Sequence, residues 1–206
     1  MRFLKIALLL TITVLMNSCA SGYKMINPDK LSYNSKSELQ GVTIEYKYNL
    51  LEKKYYKKEL KKGVRLVAIK IKNNSEKDLT FGKDLLLTDS NGKLISMYEN
   101  KRTLSILKQQ PASYLWYLLL TPMNLYTAKT NSYGAQETTS STPIGLVVGP
   151  GLAGGNFIAA SSANRKFESE ILEHDIIGRV IKKGETVHGL IGIISDNYES
   201  LKVKLE

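Results

Sequence analysis

Apolar and polar positions change their rhythm several times along the chain. From Gly41 the period is two: Val42, Ile44, Tyr46 and Tyr48 alternate with Thr43, Glu45 and Lys47, which predicts a half-buried strand. A second strand is expected over 64–72, where Val64, Leu66, Val67, Ala68, Ile69 and Ile71 run into the turn cluster Asn73-Asn74-Ser75. Leu79-Thr80-Phe81 is a short strand candidate, and 85–88 and 93–97 flank Asp89-Ser90-Asn91-Gly92. The Asn-Gly pair there predicts a hairpin turn with positive φ angles. Strands are expected again at 176–181 and at 186–195, on either side of Lys182-Lys183-Gly184-Glu185. Leu201, Val203 and Leu205 alternate with two lysines and close the chain.

The middle breaks this pattern. Residues 109–128 carry no charge, 129–142 are polar and rich in Ser and Thr, and 138–164 are again uncharged and include five glycines. A short amphipathic helix is expected over 164–172, with Phe167 and Ile171 one turn apart on one face.

The N-terminus has a different character. Arg2 and Lys5 are followed by an apolar stretch up to Met16, then Asn17, Ser18 and Cys19, the single cysteine. The stretch falls short of the roughly 20 residues that cross a bilayer and has the layout of a secretory signal. Ser18-Cys19-Ala20-Ser21-Gly22 resembles the lipobox of bacterial lipoproteins, in which the peptide is cut before the cysteine and the cysteine carries acyl chains. The resemblance implies a signal peptide at 1–18, lipidation of Cys19 and a lipid-anchored place in the cell envelope. Residues 19–40 are then the lipidated start and a polar tether punctuated by Asn27-Pro28. The residues straight after Cys19 include no aspartate, which resembles the sorting pattern for the outer membrane.

Composition narrows the classes. Of 206 residues, 29 are basic and 19 acidic; Arg2 and Lys5 lie in the leader, so the remaining 188 residues carry 27 bases and a net charge of +8. Behind an export signal such a charge points to anionic lipid, lipopolysaccharide or an envelope protein, and nucleic acid is not expected as a partner. With one cysteine no intramolecular disulfide can form, and with two histidines, His174 and His188, no metal site or cofactor is expected.

The segments IKNNSEKDLTF, LTDSNGK and IKKGETVHGLIGII, followed by the last alternating strand, resemble the immunoglobulin-like domain of exported bacterial proteins. That resemblance covers about 41–100 and 175–206 and carries no catalytic residue. It implies a mainly β protein: an immunoglobulin-like antiparallel β-sandwich over 41–206, with an apolar, glycine-rich, mainly helical insertion at about 101–173.

The insertion has two readings: its apolar segments fold back to enlarge the sandwich core, or a glycine-rich hairpin over 143–163 enters or oligomerises in the bilayer. The lysine run also has two. Lys53, Lys54, Lys57, Lys58, Lys61 and Lys62, with Tyr55 and Tyr56 among them, place a net +4 in residues 52–62. They form either a solvated hairpin tip or edge strand guarded by lysines, or a contact for an anionic surface. His174-Asp175 reads as a turn, because no nucleophile motif or second carboxylate accompanies it. The expected function is non-enzymatic: an envelope lipoprotein acting as a binding or assembly module, with a membrane-active hairpin as the alternative.

Overall fold

The computed structural model describes residues 19–206; the leader expected at 1–18 lies outside the described residues. The strands are β1 (Ser35–Leu39), β2 (Val42–Lys47), β3 (Val64–Asn73), β4 (Leu79–Thr80), β5 (Leu85–Thr88), β6 (Met97–Tyr98), β7 (Leu125–Thr130), β8 (Gln136–Thr142), β9 (Val180–Ile181), β10 (Thr186–Ile194) and β11 (Lys202–Leu205). The helices are α1 (Lys53–Lys62), α2 (Asn100–Leu107) and α3 (Gly145–Glu173), with 3-10 segments at Pro28–Lys30 and Pro111–Leu120. The residues divide into two compact units. A sheet unit comprises Tyr23–Gln109 and Ala163–Glu206, and a smaller unit comprises residues 19–22 and Gln110–Ser162.

The sheet unit is built on five antiparallel strands in the order β1-β2-β3-β10-β6. One face of this sheet presents Val42, Ile44, Val67, Ile69, Ile71 and Ile191 to a second layer made by the pairs β5–β11 and β4–β9, whose Phe81, Leu85, Leu87 and Val203 complete a core. The opposite face presents Leu66, Ala68 and Leu190 to helices, from which Tyr55, Leu107, Phe167 and Ile171 form a second core. β3 lies between these cores. It is therefore apolar at consecutive positions instead of alternating, since each inward residue on either face meets a packed layer.

The helical roof corrects the expectation of a mainly β protein. Helix and strand are nearly equal, at 32% and 31%, so the chain is mixed, with antiparallel sheets and a long helix. The period-two reading sees strands one at a time and does not show what covers them.

Three local expectations also change. First, 20–40 is not an extended tether: β1 pairs with β2 through a two-residue turn in which Gln40 (φ 47°) and Gly41 (φ 81°) are both left-handed. β1 is a polar edge strand and so carries no apolar period. Second, the lysine run is neither hairpin tip nor edge strand but helix α1. It ends at Gly63 in the left-handed conformation, with Lys61 and Lys62 in its last turn, where cations suit the helix dipole. Third, the hairpin turn expected at Asp89-Ser90-Asn91-Gly92 forms, with the Gly92 N–H on the Asp89 carbonyl at 3.1 Å and Thr88 paired antiparallel with Leu94, but not through two positive φ angles. Only Gly92 has positive φ, and the Asp89 carboxylate accepts the Asn91 and Lys93 N–H groups at 2.8 and 2.9 Å.

The insertion is divided. α2 and the last part of α3 roof the sheet, with Phe167 and Ile171 buried on one face as their spacing predicts. Residues 110–162, with 19–22, form the smaller unit. They hold the second 3-10 segment, the β7–β8 hairpin and the start of α3. The hairpin replaces part of the expected helix. The glycine-rich stretch 143–163, expected as a hairpin, is mostly the first part of the continuous helix α3.

Candidate functional site

The lysine helix sorts its residues by side. Lys53, Lys57, Lys61 and Lys62 are exposed, and Lys54, Tyr56 and Lys58 are half-buried. The Lys58 ammonium donates to the Lys108 carbonyl, and its pKa is lowered by burial and then by Lys62, Lys108 and Lys61. Tyr55 is not on this surface. It is buried, with its hydroxyl on Asn164 Oδ1 at 3.0 Å and its ring edge-on to Phe167 and Tyr23. Glu59, one turn along, is buried too and accepts the Leu66 N–H at 2.7 Å. The basic surface is thus the outer side of α1 alone, without Tyr55.

The second notable surface surrounds Cys19. This cysteine is exposed, and the following residue, Ala20, donates its N–H to Asn156 Oδ1 at 2.5 Å. In turn Asn156 Nδ2 donates to the Leu152 carbonyl, one turn back in α3. The start of α3 meets the end of the 3-10 segment at glycines. A Cβ on Gly145 would lie 2.3 Å from the Leu120 carbonyl oxygen, and one on Gly149 would lie 2.7 Å from Thr121 Oγ1. Only glycine permits that approach. With the inner stripe filled by Gly145, Gly149, Ala153 and Ala160, the larger apolar residues point outward.

Their exposure is high: Trp116 72%, Leu119 68%, Val147 77% and Ile158 66%. Trp116 and Leu119 are three apart in a 3-10 segment and so share a side. Val147 and Ile158 are eleven apart on α3, close to three full turns. Across residues 19–22 and 110–162 the charged side chains are Lys129 and Glu137 alone, opposite one another in the β7–β8 hairpin. α3 is also long and apolar enough to cross a membrane by length and composition, although its most apolar window is 28% buried.

The polar groups that could do chemistry are less organised. The two histidines come near one another, His174 through its carbonyl accepting the Leu190 N–H at 2.9 Å and His188 on β10 opposite Lys70, which the sequence did not reveal. His174 Nδ1 lies 3.8 Å from Asp29 Oδ1, beyond hydrogen-bonding distance, and the His188 ring stacks on Tyr33 with centroids 6.3 Å apart. Burial lowers the His188 pKa; Asp29 opposes this, while Lys70 and His174 reinforce it. Asp175 caps a turn, accepting the Ile177 N–H at 3.1 Å. Among the described residues no group of three His, Cys, Asp or Glu side chains could hold a metal ion. Two recesses in the sheet unit measure about 180 and 230 Å³. Both are smaller than the roughly 300 Å³ at which small-molecule sites begin.

One buried acid ties the segment after Gly22 to the sheet unit. Glu170 of α3 accepts the N–H groups of Ile26 (2.8 Å) and Asn27 (2.7 Å) and the Tyr23 hydroxyl (2.6 Å). Burial, then Glu170 itself, drives the Tyr23 pKa upward.

No family model matches the chain, nor does any curated protein or solved structure.

Proposed function

We propose that this chain is a non-enzymatic lipoprotein of the bacterial cell envelope, anchored through acyl chains on Cys19, whose sheet unit serves as a binding or assembly module at the outer membrane. The observation that supports it is the setting of Cys19: exposed, preceded by a secretory-type leader, and attached through Ala20 to a unit with almost no charge. In this reading the sheet unit is a variant of the immunoglobulin-like sandwich, with the five-stranded sheet and the β5–β11 and β4–β9 pairs as its two layers. The exposed side of α1, with Lys53, Lys57, Lys61 and Lys62, is the contact for the phosphates of anionic lipid or lipopolysaccharide. The loosely placed histidines, with His174 Nδ1 3.8 Å from Asp29 Oδ1, favour a surface-binding role over catalysis.

Metabolic labelling with a fatty-acid analogue tests the anchor. The wild type is expected to be labelled, to begin at Cys19 and to partition into detergent, while Cys19→Ala is unlabelled. An unlabelled wild type, or a mature start at another residue, overturns the reading.

A further inference from the structure

We infer that the uncharged stretches 110–128 and 143–162 are themselves embedded in the bilayer, with Trp116, Leu119, Val147 and Ile158 among the acyl chains of the leaflet that holds the lipid of Cys19. The choice of leaflet rests on the lipoprotein reading above; the insertion itself rests on the surface. Soluble proteins rarely leave large apolar side chains exposed together, and such patches mark interfaces with other molecules or with membranes. Here the exposed residues lie on two elements locked together at Gly145 and Gly149, so they cannot turn inward without opening that contact.

The occupant is identified by charge and by attachment. A protein partner would ordinarily meet a rim of charged and polar groups around an apolar centre. This unit instead offers one lysine and one glutamate, paired across the hairpin, and two uncharged stretches that hold all four of the exposed residues. Acyl chains ask for no complementary charge. Attachment points the same way, because Ala20 is hydrogen-bonded to Asn156 on the helix that carries Val147 and Ile158. Chains on Cys19 would therefore enter a bilayer at this same unit. The anchor and the apolar unit then act as two membrane signals, which matters because a single acyl chain gives only marginal, reversible attachment.

The test uses the mature chain, residues 19–206, with Cys19→Ser, so that no lipid is present and a failure of the anchor reading cannot be mistaken for a failure of this one. Trp116 is the only tryptophan in the chain and serves as the reporter. The chain is mixed with phosphatidylcholine vesicles in 1 M salt, where screening over about 3 Å suppresses any contribution of α1. It is expected to float with the vesicles, with Trp116 emission shifted to the blue, quenched by brominated acyl chains and protected from iodide. Leu119→Glu and Val147→Glu should each weaken flotation on the order of tenfold, because a carboxylate is costly among acyl chains. Both sites are exposed, so the melting temperature of the sheet unit should hold. A chain that stays unbound with Trp116 open to iodide overturns the inference. So does a dimer by light scattering in which Trp116 is shielded without vesicles, since the surface would then belong to a second copy.

Discussion

Glu59 gives the sheet unit a built-in dependence on pH. It lies on the inner side of α1, buried, with the Leu66 N–H as its hydrogen-bond donor. Burial pushes its pKa up to about 7 from the ordinary 4.5, against the opposing effects of the Leu66 N–H and the Arg65 guanidinium. Arg65 compensates only in part, because its Nη2 is committed to the Asp196 carbonyl at 2.6 Å and its plane lies over the Tyr198 ring. The sign follows from proton counting. Below pH 4.5 the group is neutral in the folded and unfolded chains and costs nothing. Between 4.5 and 7 the unfolded chain releases the proton while the folded chain keeps it, so stability falls as pH rises. Above 7 both are ionised and the loss is constant. The difference of 2.5 pH units corresponds to about 3 kcal/mol.

The perturbation is Glu59→Gln, whose amide oxygen can still accept the Leu66 N–H. Urea unfolding of both proteins from pH 4.5 to 8 measures the effect. The stability of the variant relative to the wild type should rise by about 3 kcal/mol across that range, or about 6–12 °C in Tm for a chain of this size. Taking the difference removes the contributions of other acids and any constant offset from the amide. Parallel profiles for the two proteins would refute the reasoning and show that Glu59 is ionised in the folded chain throughout.

Two further outcomes are expected. Glu170→Ala leaves the buried Ile26 N–H without its acceptor and should lower stability by about 3 kcal/mol, as loss of hydrogen bonds to a charged group does; faster hydrogen exchange at Ile26 and Asn27 is the readout, and unchanged exchange there would count against the tie. Replacing Lys53, Lys57 and Lys61 by Gln should remove the preference for anionic over zwitterionic vesicles, at about 1 kcal/mol per lysine at low salt, with no change in Tm; a preference that persists would clear α1 of that role.

How much of this was legible in the sequence depended on whether the signal was local. β2, β3, β10 and β11 were readable because a strand with one or two buried faces writes an apolar period into consecutive residues. Phe167 and Ile171 were readable because a helix repeats every 3.6 residues. The uncharged middle and the single cysteine behind an apolar leader stand in the composition itself. β1 left no such mark: as a polar edge strand it owes its place to pairing with β2 and to the turn at Gln40-Gly41. α1 was misread because only Tyr55, Tyr56 and Glu59 of its ten residues turn to the core, so that lysines dominate its text.

Only the tertiary structure decided the rest. Nothing near Glu170 in sequence foretells that it would be buried, since the N–H groups that satisfy it lie more than 140 residues away. The same holds for Glu59, whose pKa is set by what closes over it, and for the two histidines, brought together by strand register and the end of α3. An apolar stretch reads the same whether it fills a core or faces outward, and it took the glycine contacts between Thr121 and α3 to turn Trp116 and Val147 to the surface. The sequence thus determined which segments are apolar; their burial is a property of what folds against them.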